Sequence, residues 1–248
     1  MEITRATRHF DLRFVPLTSF AVRSDHPKGC CAQMTPLAHS RDDHRFAQAP
    51  GPATNDPTPR FIVLEGLSCT GKSTIAPLLA ERLGAVQLDT LVPDYEPVRR
   101  HIDATGSVPE RLHFWLMANY AISRKVRDLL ASGWSVVIES YFHRTLATHG
   151  ALGVQDLPTI DWSEAQRPDA AVQLTVSEEQ RRRRYQERDL HNGVSLWSRR
   201  IEANVEQVRR IYLSFGLTAF DTDGLGPMQV VDGLQQLLRT KLCGRHHA

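Results

Sequence analysis

Two glycines, a lysine and several hydroxyl residues lie close together in the stretch EGLSCTGKST, between an apolar run and a helical pattern. The spacing is G-x-x-x-x-G-K-[ST], with Gly66, Gly71, Lys72 and Ser73 at the specified positions. Glycines let backbone N–H groups approach a bound anion that a side chain would block. The lysine adds a compact positive charge, and the hydroxyl can ligate a magnesium ion. The stretch therefore predicts a binding loop for the phosphates of a nucleotide.

The choice of lysine at position 72 supports this interpretation. The chain has 30 basic residues, and its only lysines are Lys28, Lys72, Lys125 and Lys241. A phosphate loop needs a compact ammonium on a flexible stem, where the planar fork of an arginine would not fit. We predict that nine residues surround the phosphates: Gly66, Leu67, Ser68, Cys69, Thr70, Gly71, Lys72, Ser73 and Thr74. Cys69 is either a reactive thiol or, as we expect, a small residue whose backbone matters.

A second candidate is Glu139, which follows the apolar run of VVIESYFHRT. If that run is a buried parallel strand, the carboxylate lies at the carboxyl edge of the sheet, where ligands bind. There it could accept a proton from an attacking hydroxyl or help to hold magnesium together with Ser73. The alternative is a local salt bridge at the end of a strand.

The third candidate is the arginine-rich helix predicted for SEEQRRRRYQERD, with Ser177 as its N-cap. Helical spacing puts Arg181, Arg184 and Arg188 on one side. Arginines on a closing segment can stabilise the negative charge that develops during phosphoryl transfer, and we assign this role to Arg184 and Arg188. The alternative is a solvated charged face. Interleaved glutamates and a net charge of +2 argue against a nucleic-acid partner.

From Arg60 onward, strand-like and helical stretches alternate along the chain. The pattern predicts an α/β fold of three layers, with a parallel sheet covered on both faces. We expect one domain over 60–243. Residues 1–59 are rich in proline, glycine and small polar residues, which predicts a disordered tail or an extension from a start codon assigned too early. A small irregular subdomain is the remaining alternative.

The composition narrows the remaining classes of protein. No apolar run approaches the roughly 18 residues that span a bilayer, so we expect no membrane partner. The first residues lack the apolar core of a secretory signal. The four cysteines include no CxxC pair, which suggests neither a disulfide framework nor a zinc site. A reducing cytoplasm is therefore the predicted location.

The three candidate motifs, in this order, resemble the thymidylate kinase and deoxynucleoside kinase group of P-loop kinases over residues 60 to 240. FIVLEGLSCTGKST resembles the opening strand and loop of the group, VVIESY its acidic strand, and DAAVQLTVSEEQRRRRYQER its lid. The resemblance implies an enzyme that uses ATP and Mg2+ and phosphorylates a small acceptor, a nucleoside or nucleotide. It also makes Arg184 and Arg188 lid arginines, and Glu96 and Arg99 acceptor contacts. It leaves a homodimer open.

Two departures from that group concern the acceptor. Ser140 stands where the group has an arginine after its acidic residue, and Arg144 is the candidate substitute from the next turn. The long helix FWLMANYAI lacks the arginine that grips a monophosphate, which leaves a neutral nucleoside or another hydroxyl compound open. Phe114 and Trp115 are expected in the core, whereas Asn119 and Tyr120 could bind the acceptor or pack.

Two further hypotheses stay open at this point. One is a P-loop kinase that acts on a non-nucleotide metabolite or an antibiotic hydroxyl. The other is a non-catalytic module that binds ATP, because Ser140 replaces the arginine that handles phosphates in the group.

Overall fold

A computed structural model describes residues 58–243, without the side chains of Asn192 and Cys243. The five strands are β1 (Phe61–Glu65), β2 (Val86–Leu88), β3 (Val136–Glu139), β4 (Ala170–Thr175) and β5 (Thr218–Asp221). The eight helices of this part are α1 (Lys72–Leu83), α2 (Glu96–Thr105), α3 (Val108–Ala131), α4 (Phe142–Ala151), α5 (Glu178–Asn192), α6 (Leu196–Ala203), α7 (Val205–Ser214) and α8 (Pro227–Cys243). The prediction for residues 1–57 lies outside the described residues.

The strands form one parallel sheet in the order β2-β3-β1-β4-β5. β1 is central, and all five of its residues are buried. Because successive side chains of a strand point to opposite faces, β1 contributes to two cores. Ile62 and Leu64 pack with α1 and α8, and Phe61 and Val63 pack with α3 and the start of α4. The predicted three-layer α/β/α P-loop fold is confirmed.

The order of the strands decides where a site can form. β1 lies between β3 and β4, so the order of the strands reverses at β1 and the connections on its two sides run in opposite directions. The ends of β1 and β3 are in register, with Leu64 opposite Glu139. This register brings the loop after β1 beside the carboxylate that ends β3.

The helical stretch from Val194 to Gly216, which the pattern suggests to be continuous, is broken in the structure. α6 ends and α7 begins at Asn204. The side-chain amide of Asn204 donates to the Arg200 carbonyl oxygen at 2.9 Å, and its own carbonyl accepts from the N–H of Gln207 at 3.0 Å. Asn204 therefore satisfies the end of one helix and the start of the next, which lets the chain change direction.

Candidate active site

The loop between β1 and α1 depends on two glycines. Gly66 has a φ of 130°, and a Cβ there would lie 2.5 Å from the carbonyl oxygen of Leu174 on β4. Gly71 has a φ of 98° and precedes α1, whose first turn has no side-chain cap. Positive φ values favour glycine, and the uncapped N–H groups of a helix start can bind an anion. The local geometry therefore fits a phosphate-binding loop.

Lys72 lies inside this loop. Its Nζ donates to the carbonyl oxygens of Gly66 at 3.0 Å and Leu67 at 2.7 Å, and the residue is 6% exposed. Burial, followed by the charge of Arg144, lowers the pKa of Lys72 from 10.5 to about 8. The ammonium is thus held close to the loop backbone and lacks water, so an approaching phosphate would be a strongly favourable partner.

Beyond the loop, Ser73 and Glu139 meet directly. The hydroxyl of Ser73 donates to Oε1 of Glu139 at 2.9 Å, although 66 residues separate them in the chain. Both line a cavity of about 490 Å³, a size typical of small-molecule sites. Its lining includes seven loop residues and three of the other predicted residues: Ser68, Cys69, Thr70, Gly71, Lys72, Ser73, Thr74, Glu139, Arg184 and Arg188. Gly66 and Leu67 are not in the lining and instead hold Lys72 through their carbonyls.

The arginines of α5 divide between two tasks. Arg184 and Arg188 line the cavity, and Nη1 of Arg184 lies 3.5 Å from the carbonyl oxygen of Cys69. Arg181, which the helical spacing puts on the same side, is 1% exposed and pairs with Glu178 and Glu202. Arg181 therefore connects α5, the arginine-bearing lid helix, to Glu202 of α6. It does not line the cavity.

Position 140 is occupied by a serine in a left-handed conformation, with a φ of 67°. Arg144, one helical turn further on, reaches the loop: its Nη2 donates to the Ser68 hydroxyl at 2.9 Å. Ser140 and Arg144 both line the first cavity and also a second one. A guanidinium is therefore present between the two cavities even though position 140 does not supply it.

The second cavity, of about 370 Å³, shares three residues with the first: Glu139, Ser140 and Arg144. Its other lining residues come from three helices and from the segments after β2 and β3: Asp89, Thr90, Leu91, Arg111, Trp115, Tyr141, Thr145, Thr148, His149, Ser198 and Ile201. A ligand in this cavity and one in the first cavity would therefore meet at Glu139.

The residues considered for acceptor binding lie in different surroundings. Trp115 lines the second cavity, whereas Phe114 is buried in contact with the Trp115 ring. Asn119 is fully buried, and its amide donates to the Thr145 hydroxyl at 2.9 Å. The Tyr120 hydroxyl accepts from the N–H of Asp161 at 3.1 Å. Trp115 is thus the member of this group that lies at the cavity.

Glu96 and Arg99 pair with each other on α2, with 2.6 Å between Glu96 Oε1 and Arg99 Nη2, and neither lines the second cavity. Sequence reasoning missed Arg111, which does line it. The signal was available, because Arg111 precedes Trp115 by four residues and so lies on the same face of α3. His149 was missed as well, since nothing near it in the sequence marks it.

A buried carboxylate just before the loop connects it to neighbouring elements. Glu65, at the end of β1, is fully buried; its Oε1 accepts from the N–H of Tyr141 and its Oε2 from the Tyr212 hydroxyl, each at 2.9 Å. Burial raises the pKa of Tyr212 well above its ordinary value, with Glu65 adding to the effect. Sequence reasoning did not single out Glu65, although it immediately precedes Gly66. It joins the loop, the end of β3 and α7 in one network.

Magnesium fits the donors that are present. Residues 58–243 contain no group of three or more His, Cys, Asp or Glu side chains that could hold a metal ion. Mg2+ does not require such a group, since it usually keeps several waters and binds through one or two carboxylates and the phosphates of its substrate. The oxygens of Ser73 and Glu139, 2.9 Å apart, suit that kind of ligation.

The fold and the loop define a P-loop nucleotide-binding protein of the kinase type. A model of the AAA domain family matches residues 61–215, more than half of the chain, and the chain belongs to this family. Thymidylate kinase from Candida albicans has a similar fold, with a TM-score of 0.58 and 17% identity over 74% of this chain and 92% of that one. No curated protein sequence matches the chain. The resemblance to thymidylate kinase-like P-loop kinases is thereby confirmed.

Among residues 58–243, no helix is both long enough and apolar enough to cross a membrane.

Proposed function

We propose that the protein is an ATP- and Mg2+-dependent phosphotransferase that moves the γ-phosphoryl group of ATP to a nucleoside or nucleotide. The observation that carries the proposal is the meeting of two cavities at Glu139. One cavity contains the phosphate loop, and the other provides space for an acceptor. A protein that only bound ATP would have no need of the second.

The residues divide the work as follows. The loop from Gly66 to Thr74 holds the triphosphate of ATP, and Lys72 lies against its β- and γ-phosphates. Ser73 and Glu139 would hold magnesium, and the bound ion would neutralise charge on the phosphate oxygens. This assignment uses the 2.9 Å contact between the two side chains.

The transfer step itself is an in-line displacement. The acceptor oxygen forms a bond to the γ-phosphorus, the bond from that phosphorus to the bridging oxygen of ADP breaks, and the hydroxyl proton passes to Glu139. Arg184 and Arg188 stabilise the charge that spreads over the moving phosphoryl oxygens. Arg144, whose guanidinium reaches Ser68, adds a third positive charge where the two substrates meet.

The test is ADP formation from ATP and Mg2+ by the purified protein, with nucleosides, nucleoside monophosphates, sugars and aminoglycosides each added in turn. Stimulation by a nucleoside or nucleotide supports the proposal. Stimulation confined to the other compounds would replace the acceptor with a non-nucleotide hydroxyl. Tight binding of ATP without turnover on any compound would contradict phosphotransfer and favour a module that only binds ATP.

A further inference from the structure

The charges around the second cavity are balanced. Its lining carries two guanidinium groups, Arg111 and Arg144, and two carboxylates, Asp89 and Glu139. Arg144 is directed to the loop, where it donates to Ser68 and Gly66. A dianionic phosphate in this cavity would face two carboxylates and no surplus of positive charge.

Arg111, the cation that belongs to this cavity alone, already has a counterion. Its Nε donates to Oδ1 of Asp103 at 2.9 Å, and its guanidinium lies 4.9 Å from the centre of the Trp197 ring. The side chain is 11% exposed. Nη1 lies 3.4 Å from His149 Nε2, a long contact that leaves room for a better acceptor. Asp103 also pairs with Arg99, and Arg99 pairs in turn with Glu96, so Arg111 belongs to a network of paired charges. Arg111 can therefore donate hydrogen bonds to a ligand while its own charge is offset within that network.

His149 is held neutral behind Arg111. Its ring is 1% exposed, and Nδ1 donates to the Thr145 carbonyl oxygen at 2.7 Å. Burial, with the charges of Arg111 and Arg144, lowers the pKa of His149 to about 4. The imidazole therefore adds no positive charge to the cavity at neutral pH.

The cavity also has donors that lack partners. Nε1 of Trp115, which lines it, is buried without a hydrogen-bond partner among the described residues. The hydroxyl oxygen of Thr145 accepts from Asn119, which leaves its proton for another acceptor. Buried donors are normally paired, so unpaired donors in residues that line a cavity point to a ligand that supplies acceptor oxygens.

We propose that the acceptor is an uncharged molecule that presents carbonyl or hydroxyl oxygens to Arg111 and to the indole N–H of Trp115. The proposal rests on the proposed function, since it assumes that the second cavity holds the acceptor. An uncharged acceptor would distinguish this protein from enzymes that phosphorylate a monophosphate. The balanced charge of the lining disfavours the dianion, and the unpaired donors favour oxygen-bearing groups.

The test follows the indole N–H signal of Trp115 in protein labelled with 15N-tryptophan. The chain has four tryptophans, and Trp115→Phe identifies the signal by its loss. Labelled protein saturated with ADP and Mg2+ is titrated with uridine and UMP, inosine and IMP, and glucose and glucose 6-phosphate. ADP occupies the positions of the α- and β-phosphates in the first cavity, so added phosphates cannot bind at those positions.

We expect the uncharged member of at least one pair to shift the Trp115 signal at a concentration about tenfold lower than its phosphorylated partner. Tighter binding of the phosphorylated member in every responding pair would overturn the proposal. So would the absence of any response. Failure of the proposed function would give a different result. ADP would not bind, or the compound that shifts the Trp115 signal would not stimulate ADP formation.

A pair of variants tests the role of the N–H itself. Trp115→Phe keeps an aromatic ring and removes the donor, so the dissociation constant of the responding compound, measured by calorimetry, should rise about fivefold. Trp162→Phe removes the same group from a ring that packs on Phe142 and lies outside both cavity linings. Equal effects of the two substitutions would contradict the proposed contact.

Discussion

The hydroxyl of Ser73, at the start of α1, donates a hydrogen bond of 2.9 Å to the carboxylate of Glu139, at the end of β3. The bond joins the phosphate loop to the point where the two cavities meet. The sequence predicted both residues as magnesium ligands, but their direct hydrogen bond depends on the pairing of β1 with β3.

Glu139→Gln should reduce kcat by about 10²- to 10⁴-fold, because the amide cannot take a proton from the acceptor hydroxyl. The amide oxygen can still accept from Ser73 and can still ligate magnesium, so ATP affinity should change little. Stopped assays of ADP formation and calorimetric titration with ATP measure the two quantities. A variant that retains the full rate would exclude Glu139 as the base.

Lys72→Met should abolish turnover, since it removes the charge that faces the β- and γ-phosphates. The same substitution should stabilise the free protein at pH 7. The folded pKa of Lys72, about 8, lies below the unfolded value of 10.5, so the unfolded chain binds more protons between these values. The stability of the wild type therefore rises from pH 8 to 10.5, by an amount on the order of 3 kcal/mol from this group.

Urea unfolding of the wild type and of Lys72→Met at several pH values between 7 and 10.5 checks this. The advantage of the variant should shrink as the pH rises. An advantage that stays constant over this range would mean that the buried ammonium does not destabilise the fold.

Arg184→Ala should lower kcat by about 10²- to 10³-fold with a small effect on the free energy of unfolding, because Arg184 lines the cavity and, in the proposed mechanism, stabilises developing charge. Arg183→Ala is the matched control. Its side chain is 74% exposed and pairs with Glu187 on the outer side of the same helix. Steady-state kinetics of both variants should separate them clearly. Similar kinetics would mean that Arg184 does not stabilise the transfer step.

His149→Asn should flatten the acid side of the stability profile. The folded pKa of His149, about 4, lies below its ordinary value of 6.5, because burial disfavours the imidazolium. Stability from this group is therefore present above pH 6.5 and is lost as the pH falls toward 4. The loss amounts to about 3 kcal/mol.

The control for this prediction is His113→Asn. His113 makes the same contact with the carbonyl oxygen four residues earlier, that of Pro109, but it is exposed. Denaturant unfolding between pH 4 and 7 should show a flatter profile for His149→Asn and an unchanged one for His113→Asn. Parallel profiles for all three proteins would contradict a neutral buried imidazole.

The phosphate loop could be predicted because its chemistry is local. Gly66, Gly71, Lys72 and Ser73 lie within eight residues, and the backbone between a strand and a helix brings them together whatever surrounds them. The alternation of strands and helices predicted the parallel sheet for the same kind of reason, since apolar periodicity reports which segments must be covered. The assignment of residues 1–59 as a tail stays a prediction.

The second cavity could not be predicted in this way. Arg111, Trp115 and His149 lie on α3 and α4, and helical periodicity fixes which residues share a face without fixing which neighbour that face meets. The same limit applies to Arg181 and Arg184, which share one side of α5. Arg181 pairs with Glu202, whereas Arg184 lines the cavity.

The sequence by itself thus determined that the chain has a strand-loop-helix unit for phosphate and an α/β fold to display it. Only the tertiary structure decided that Ser73 contacts Glu139 directly, that Arg181 pairs with Glu202 away from the cavity, and which side chains line the second cavity. The physical reason is that the loop is shaped by the torsion angles of consecutive residues. The acceptor cavity, in contrast, is shaped by the packing of helices that are far apart in the chain.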